Sequence, residues 1–126
     1  MIAEQTSVLR CAPSKFSTEI IPLEDIHSVL DDCNDVVFTE KLQNSLRTKG
    51  MLNPILICTD VDFKSTDISA FERRPVPEDI EQQYRCLIGN NRYLYAAKNG
   101  YTHIECHVVK TLQQVKDAHR ETKHGI

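Results

Sequence analysis

"YRCLIGNNRYLYAAKNGYTHIECHVV", residues 84–109, is the stretch from which the rest of the chain is read. "YRCLIG" (84–89) is short and apolar and ends in glycine, as a strand does. "NNRYLYAAKNG" changes to helical spacing. Asn90 or Asn91 is placed to cap it, Leu94 and Ala97 to face inward, and Gly100 to close it. "THIECHVV" alternates and is β-branched, so it predicts another strand. The glycine after the first strand lets a ligand approach the backbone closely. The free N–H groups of the next turn, with the helix dipole, favour an anion there. Arg92 sits in that same turn, opposed to the dipole by roughly a few tenths of a kcal/mol if exposed and unpaired. Either it extends into water, or it faces an anion such as phosphate, whose oxygens suit its planar fork. Taken alone, G-x-x-R is a weak signal. Neither a P-loop nor G-x-G-x-x-G is present.

Upstream, "ILIC" (55–58) is a continuous apolar run of strand length and predicts a buried central strand. "TEKLQNSLRTKG" (39–50) carries helix punctuation. Thr39 can cap, Leu42 and Leu46 share a face, and Gly50 supplies the residue past the end. "MLNP" then turns into the strand. "TEIIPLEDI" (18–26) suits a first strand stopped by Pro22, with a short helix following on Leu23, Ile26 and Leu30. Residues 1–17 lack periodicity and are expected to form a flexible arm. Residues 59–82 hold two prolines and seven Asp or Glu. They predict a long surface excursion, with at most a helical turn at "PEDIEQQ". "TLQQVKDAHRETKH" predicts a last helix capped by Thr111, with Leu112, Val115 and Ala118 inward. Residues 18–126 thus form one α+β domain, a small mixed sheet with helices packed on it.

The length of 126 residues suits one domain, and 40% hydrophobic with 26% charged residues is ordinary for a globular protein. Neither a membrane-spanning run nor a signal peptide is recognisable, so a cytoplasmic location is expected. The formal net charge of −3 gives no global attraction for nucleic acid. The one basic stretch, Lys110–His124, is diluted by Asp117 and Glu121 and reads as a solvated helix face. Five cysteines without C-x-x-C spacing argue against a disulfide framework or zinc knuckle. Cys58, Cys86 and Cys106 read as small buried hydrophobes. His103 and His107, four apart on a strand, lie about 13 Å apart and do not share a metal. Glu24 and Asp25 are candidates for a magnesium ion beside phosphates, or simply acids at a helix start.

The order of these motifs resembles the ParB/sulfiredoxin-like domain over roughly residues 18–110. "L-x-x-S-I" followed by "G-x-x-x-P-I" is matched by Leu42, Ser45, Leu46, Gly50, Pro54 and Ile55. A strand running into "G-x-x-R", a helix with "A-A" and a glycine turn are matched by Tyr84, Ile88, Gly89, Arg92, Ala96, Ala97, Gly100 and Ile104. The resemblance implies a nucleotide site holding the triphosphate of ATP or CTP, with or without magnesium. It nominates Gly50, Asn53 and Pro54 on one side and Gly89, Asn90, Asn91 and Arg92 on the other. Asn90 stands where sulfiredoxins keep their reactive cysteine, which argues against peroxiredoxin repair. Asn90 and Asn91 also replace the acid and the first base of the partitioning members' "G-E-R-R". The segments flanking that site in those members have no match here, nor has their helix-turn-helix, so a sliding-clamp role is not expected.

Three functions stay open from the sequence. The first is a nucleotide-binding module, with or without weak hydrolase, phosphotransfer or nuclease activity. The second is a DNA-associated protein using the C-terminal helix with Arg73 and Arg74. The third is an interaction protein with a decayed pocket, contacting a protein partner through residues 59–82. A stand-alone module of this size also suggests a small accessory protein of a phage or mobile element.

Overall fold

The chain order among the described residues is β1 (Val8–Leu9), β2 (Glu19–Pro22), β3 (Ile26–His27), α1 (Glu40–Lys49), β4 (Ile55–Thr59), α2 (Asp60–Ser65), β5 (Tyr84–Ile88), α3 (Asn90–Lys98), β6 (His103–Val108) and α4 (Leu112–Glu121). The computed structural model describes residues 6–29 and 40–122. The strands form one mixed sheet in the order β1-β6-β4-β5-β3, with β2 also pairing β6. β4 is antiparallel to β5 and parallel to β6. Residues 103 and 104 pair with both β1 and β2, so these two lie on opposite sides of β6.

β4 explains the continuous apolar run. Its alternate residues enter two different cores. Ile55 and Ile57 join Cys86, Ile104 and Cys106 on one face, covered by Leu46 of α1 and by Tyr93 and Ala96 of α3. Leu56 and Cys58 join Leu87 on the other, covered by Phe63 of α2 and by Val115 and Ala118 of α4. A strand buried on both faces has no polar side to show. Each fully buried isoleucine of β4 contributes about 1.5–3 kcal/mol relative to an exposed one.

The α+β arrangement is the expected one, and four local expectations change. Residues 6–17 are not a loose arm. Val8 and Leu9 pair with β6, Leu9 is buried, and the Cys11 N–H donates to Glu105 Oε1 at 3.1 Å. The expected helix after Pro22 is only a 3-10 turn, Leu23–Asp25. The chain then extends as β3, because Ile26 and His27 find parallel partners in Tyr84 and Arg85. Residues 59–82 are partly regular. α2 is capped by the Thr59 hydroxyl, and a second 3-10 turn, Asp67–Phe71, is capped by Thr66. Phe63 and Ile68 hold both against the second core. The stretch "PEDIEQQ", by contrast, is not helical. Finally, α3 buries Leu94 and Ala96 while Ala97 is exposed. Thr39, Cys33, Leu30, Lys123 and His124 lie outside the described residues.

Candidate functional site

Two glycine turns meet at one end of the sheet. α1 closes at Gly50, whose φ of +68° a residue with a side chain rarely adopts. The chain then passes Asn53 and Pro54 into β4. On the neighbouring strand, β5 ends at Ile88 and Gly89 turns with φ +102° to become the N-cap of α3. The Gly89 carbonyl accepts from the Tyr93 N–H at 2.9 Å. A Cβ on Gly89 would stand 2.6 Å from Ile55 Cγ2 and 2.8 Å from Arg92 Nη2. Only glycine fits this crossing.

The expected asparagine cap is not present, because Gly89 itself occupies that position without a side-chain bond. Asn90 turns inward instead and accepts from Ser28 Oγ at 2.6 Å. Asn91 stays exposed. The solvent alternative for Arg92 also fails. Arg92 is 8% exposed, and its Nη1 donates to the Asn53 carbonyl at 2.7 Å and the Pro54 carbonyl at 3.4 Å. The guanidinium therefore ties the two glycine turns together. Burial lowers its pKa from the ordinary value, yet an arginine remains charged. Among the described residues, none of the ion pairs involves Arg92. It is a buried cation held by carbonyl dipoles, beside the positive end of a helix.

Around this junction opens a cleft of about 550 Å³, within the size range of small-molecule sites. It brings together Asn53, Gly89, Asn90, Asn91 and Arg92. Gly50 and Pro54 do not line it. Gly50 shapes the turn, and the Pro54 carbonyl helps anchor Arg92. The lining also includes residues not nominated by the motifs: Phe71 and Arg74 of the excursion, and His119 and Thr122 at the end of α4. Their sequence signals were only a charged "ERRP" run and a polar helix face. The described lining contains two arginines and no Asp or Glu. Glu24 and Asp25 are not part of it. Among the described residues, no group of three His, Cys, Asp or Glu is placed to hold a metal.

The remaining candidates resolve into structural contacts. Burial, with Asp62 nearby, pushes the Cys58 thiol up to about 12, and burial likewise raises Cys106. Cys58 and Cys106 are free thiols. His103 faces Thr102 Oγ1 at 2.7 Å, and His107 faces the Ser17 carbonyl at 2.7 Å. On α4, Arg120 pairs with Asp117 at 3.4 Å, so part of the basic face is compensated. No helix among the described residues is long and apolar enough to cross a membrane.

No family model matches the chain, and no curated protein matches it significantly in sequence. Among solved structures, the chain is similar to sulfiredoxin from Arabidopsis thaliana. The TM-score is 0.48 at 20% identity, covering 82% of this chain and 98% of that one. It is also similar to the C-terminally truncated chromosome-partitioning protein ParB from Caulobacter crescentus, complexed with CTP-gamma-S. There the TM-score is 0.48 at 19% identity, covering 87% of this chain and 56% of that one.

Proposed function

We propose that the chain binds a nucleoside triphosphate, ATP or CTP, with its phosphates at the start of α3. The observation that carries this reading is Arg92. A buried guanidinium is normally paired with a carboxylate, because an uncompensated charge is costly to desolvate. Here carbonyls position it, its charge is not cancelled by any described acid, and the adjacent helix end adds to the positive potential. A phosphate group between Arg92 and the first-turn N–H groups would relieve that arrangement. The motif order supports the same assignment.

Asn91 provides a test that separates binding from folding. It is exposed, lines the cleft and occupies the first turn of α3. Asn91→Asp places a negative charge where the helix dipole welcomes it, so stability should hold or rise slightly. The same charge repels phosphate, and affinity should fall roughly tenfold or more. Isothermal titration of ATP and CTP, with and without magnesium, reads the affinity, and thermal unfolding reads the stability. Absence of binding by the wild-type chain at millimolar nucleotide would refute the proposal, as would unchanged affinity in Asn91→Asp.

A further inference from the structure

We infer that Arg74 is a second anion-binding residue of the cleft, and that the cleft therefore selects ligands with two or more linked phosphates over a single phosphate. This rests on the phosphate reading above and adds a residue from outside the motif-bearing turns. The excursion supplies it, from a segment whose 3-10 turn is packed into the second core by Ile68.

The position of Arg74 is built. The Glu72 side chain is only 6% exposed. It accepts from the Arg74 backbone N–H at 3.0 Å, from Nε at 2.8 Å and from Nη2 at 3.1 Å. A carboxylate is buried this far only when its oxygens are satisfied, and here Arg74 supplies these three donors, with the Arg73 backbone contributing as well. The pair is side-on, so it takes Nε and Nη2 and leaves Nη1 outside it. About half of the Arg74 side chain, 47%, stays exposed, and Arg74 lines the cleft. Its neighbour Arg73 is exposed and does not line the cleft. Of two consecutive arginines, the fold orients one toward the site. An arginine already fixed on a carboxylate loses little freedom when its open edge takes a phosphate oxygen.

Arg92 and the α3 start form one wall, held by the backbone of Asn53 and Pro54. Arg74 and His119 line the same cleft from the excursion and the end of α4. On this inference one phosphate occupies the first position and a linked second or third phosphate of the same ligand engages Arg74.

The test is titration calorimetry of inorganic phosphate, pyrophosphate and tripolyphosphate at fixed ionic strength. The wild-type chain should bind the longer anions at least roughly tenfold more tightly than phosphate. Arg74→Ala should abolish most of that ratio while changing phosphate affinity by less than about twofold. Arg73→Ala should leave the ratio intact. Because Arg74→Ala strands the buried Glu72 carboxylate, the double variant Glu72→Gln/Arg74→Gln is measured too. It preserves net charge and should lose the ratio in the same way. A ratio retained in both Arg74 variants, or lost equally in Arg73→Ala, would overturn the inference. Wild-type binding of phosphate without preference for longer anions overturns it alone. Wild-type binding of none of the three overturns it together with the nucleotide reading.

Discussion

Gly89→Ala is the substitution whose consequence the structure defines most closely. Gly89 adopts φ +102°, where an L side chain collides with its own backbone, at about 1–2 kcal/mol. The added Cβ would also meet Ile55 Cγ2 at 2.6 Å and Ile55 Cβ at 3.0 Å. Ile55 is fully buried in the central strand and cannot retreat without moving β4. Overpacking of this kind costs roughly 1–3 kcal/mol. The third contact, Arg92 Nη2 at 2.8 Å, is the end of a flexible chain. It can swing away, but doing so strains its bond to the Asn53 carbonyl. The sum is about 2–5 kcal/mol, a large part of the roughly 5–15 kcal/mol that stabilises an ordinary domain.

The control lies in the same molecule. Gly50 and Gly100 have φ of +68° and +81°, and a Cβ on either would find nothing within 4 Å. Their alanine variants should lose only the backbone contribution of about 1–2 kcal/mol. The chain has no tryptophan, so urea unfolding is followed by far-UV circular dichroism. The expected order is wild type above Gly50→Ala and Gly100→Ala, with Gly89→Ala lowest and the denaturant slope unchanged. A Gly89→Ala midpoint equal to that of Gly100→Ala would refute the crowding argument, and with it the placement of Arg92 over the turn.

Two further outcomes follow from the ionised groups. Burial raises the carboxyl pKa values of Asp60, Glu72 and Glu105. Hydrogen bonds from Arg85 and Lys64, from Arg74, and from Thr18 and Cys11 overcome that effect, so all three end below their ordinary values. A folded pKa below the unfolded one gives stability that is present above the unfolded value and lost as pH falls through the folded one. The urea midpoint should therefore drop below about pH 4, and a midpoint that stays level from about pH 7 to about pH 3 would contradict these assignments. Arg85 is 3% exposed, donates to Asp60 Oδ1 at 2.7 Å and to the Glu78 carbonyl at 2.9 Å, and lies 4.4 Å over the Phe63 ring. Arg85→Met removes the more buried of the two cations on Asp60 and leaves Lys64 at 3.2 Å from Oδ2, so it should cost roughly 1–2 kcal/mol, and Arg85→Met/Asp60→Asn should cost less than the sum of the two single changes. A double-mutant cycle with no coupling between the two positions would show that the pair carries no such weight.

The elements visible in the sequence are those whose chemistry is local. Gly89 and Gly100 mark the two changes of period around α3, Thr111 caps α4, and the apolar run at 55–58 needs only burial on both faces. β1 and β3 are two residues long and exist because of partners far along the chain, His103 and Ile104 for one and Tyr84 and Arg85 for the other. No window of sequence contains those pairs. The cleft divides in the same way. Asn53, Gly89, Asn91 and Arg92 stand at turns with a local signature. Arg74 and His119 reach the cleft only because the 3-10 turn at Asp67–Phe71 packs on α4.

Arg92 shows where local reading stops. Its position in the first turn poses the question, but the answer lies 39 residues away in the Asn53 carbonyl. If the arginine served only to join the two turns, a carboxylate in place of those carbonyls would hold it and cancel its charge in one step. The carbonyls fix the guanidinium and leave its charge in place, beside a helix end of the same sign and in a cleft whose described lining has no acid. Under the proposed reading, such an arrangement is less favourable for the empty chain than for the chain with an anion bound. That difference in free energy is what a phosphate ligand would gain on binding.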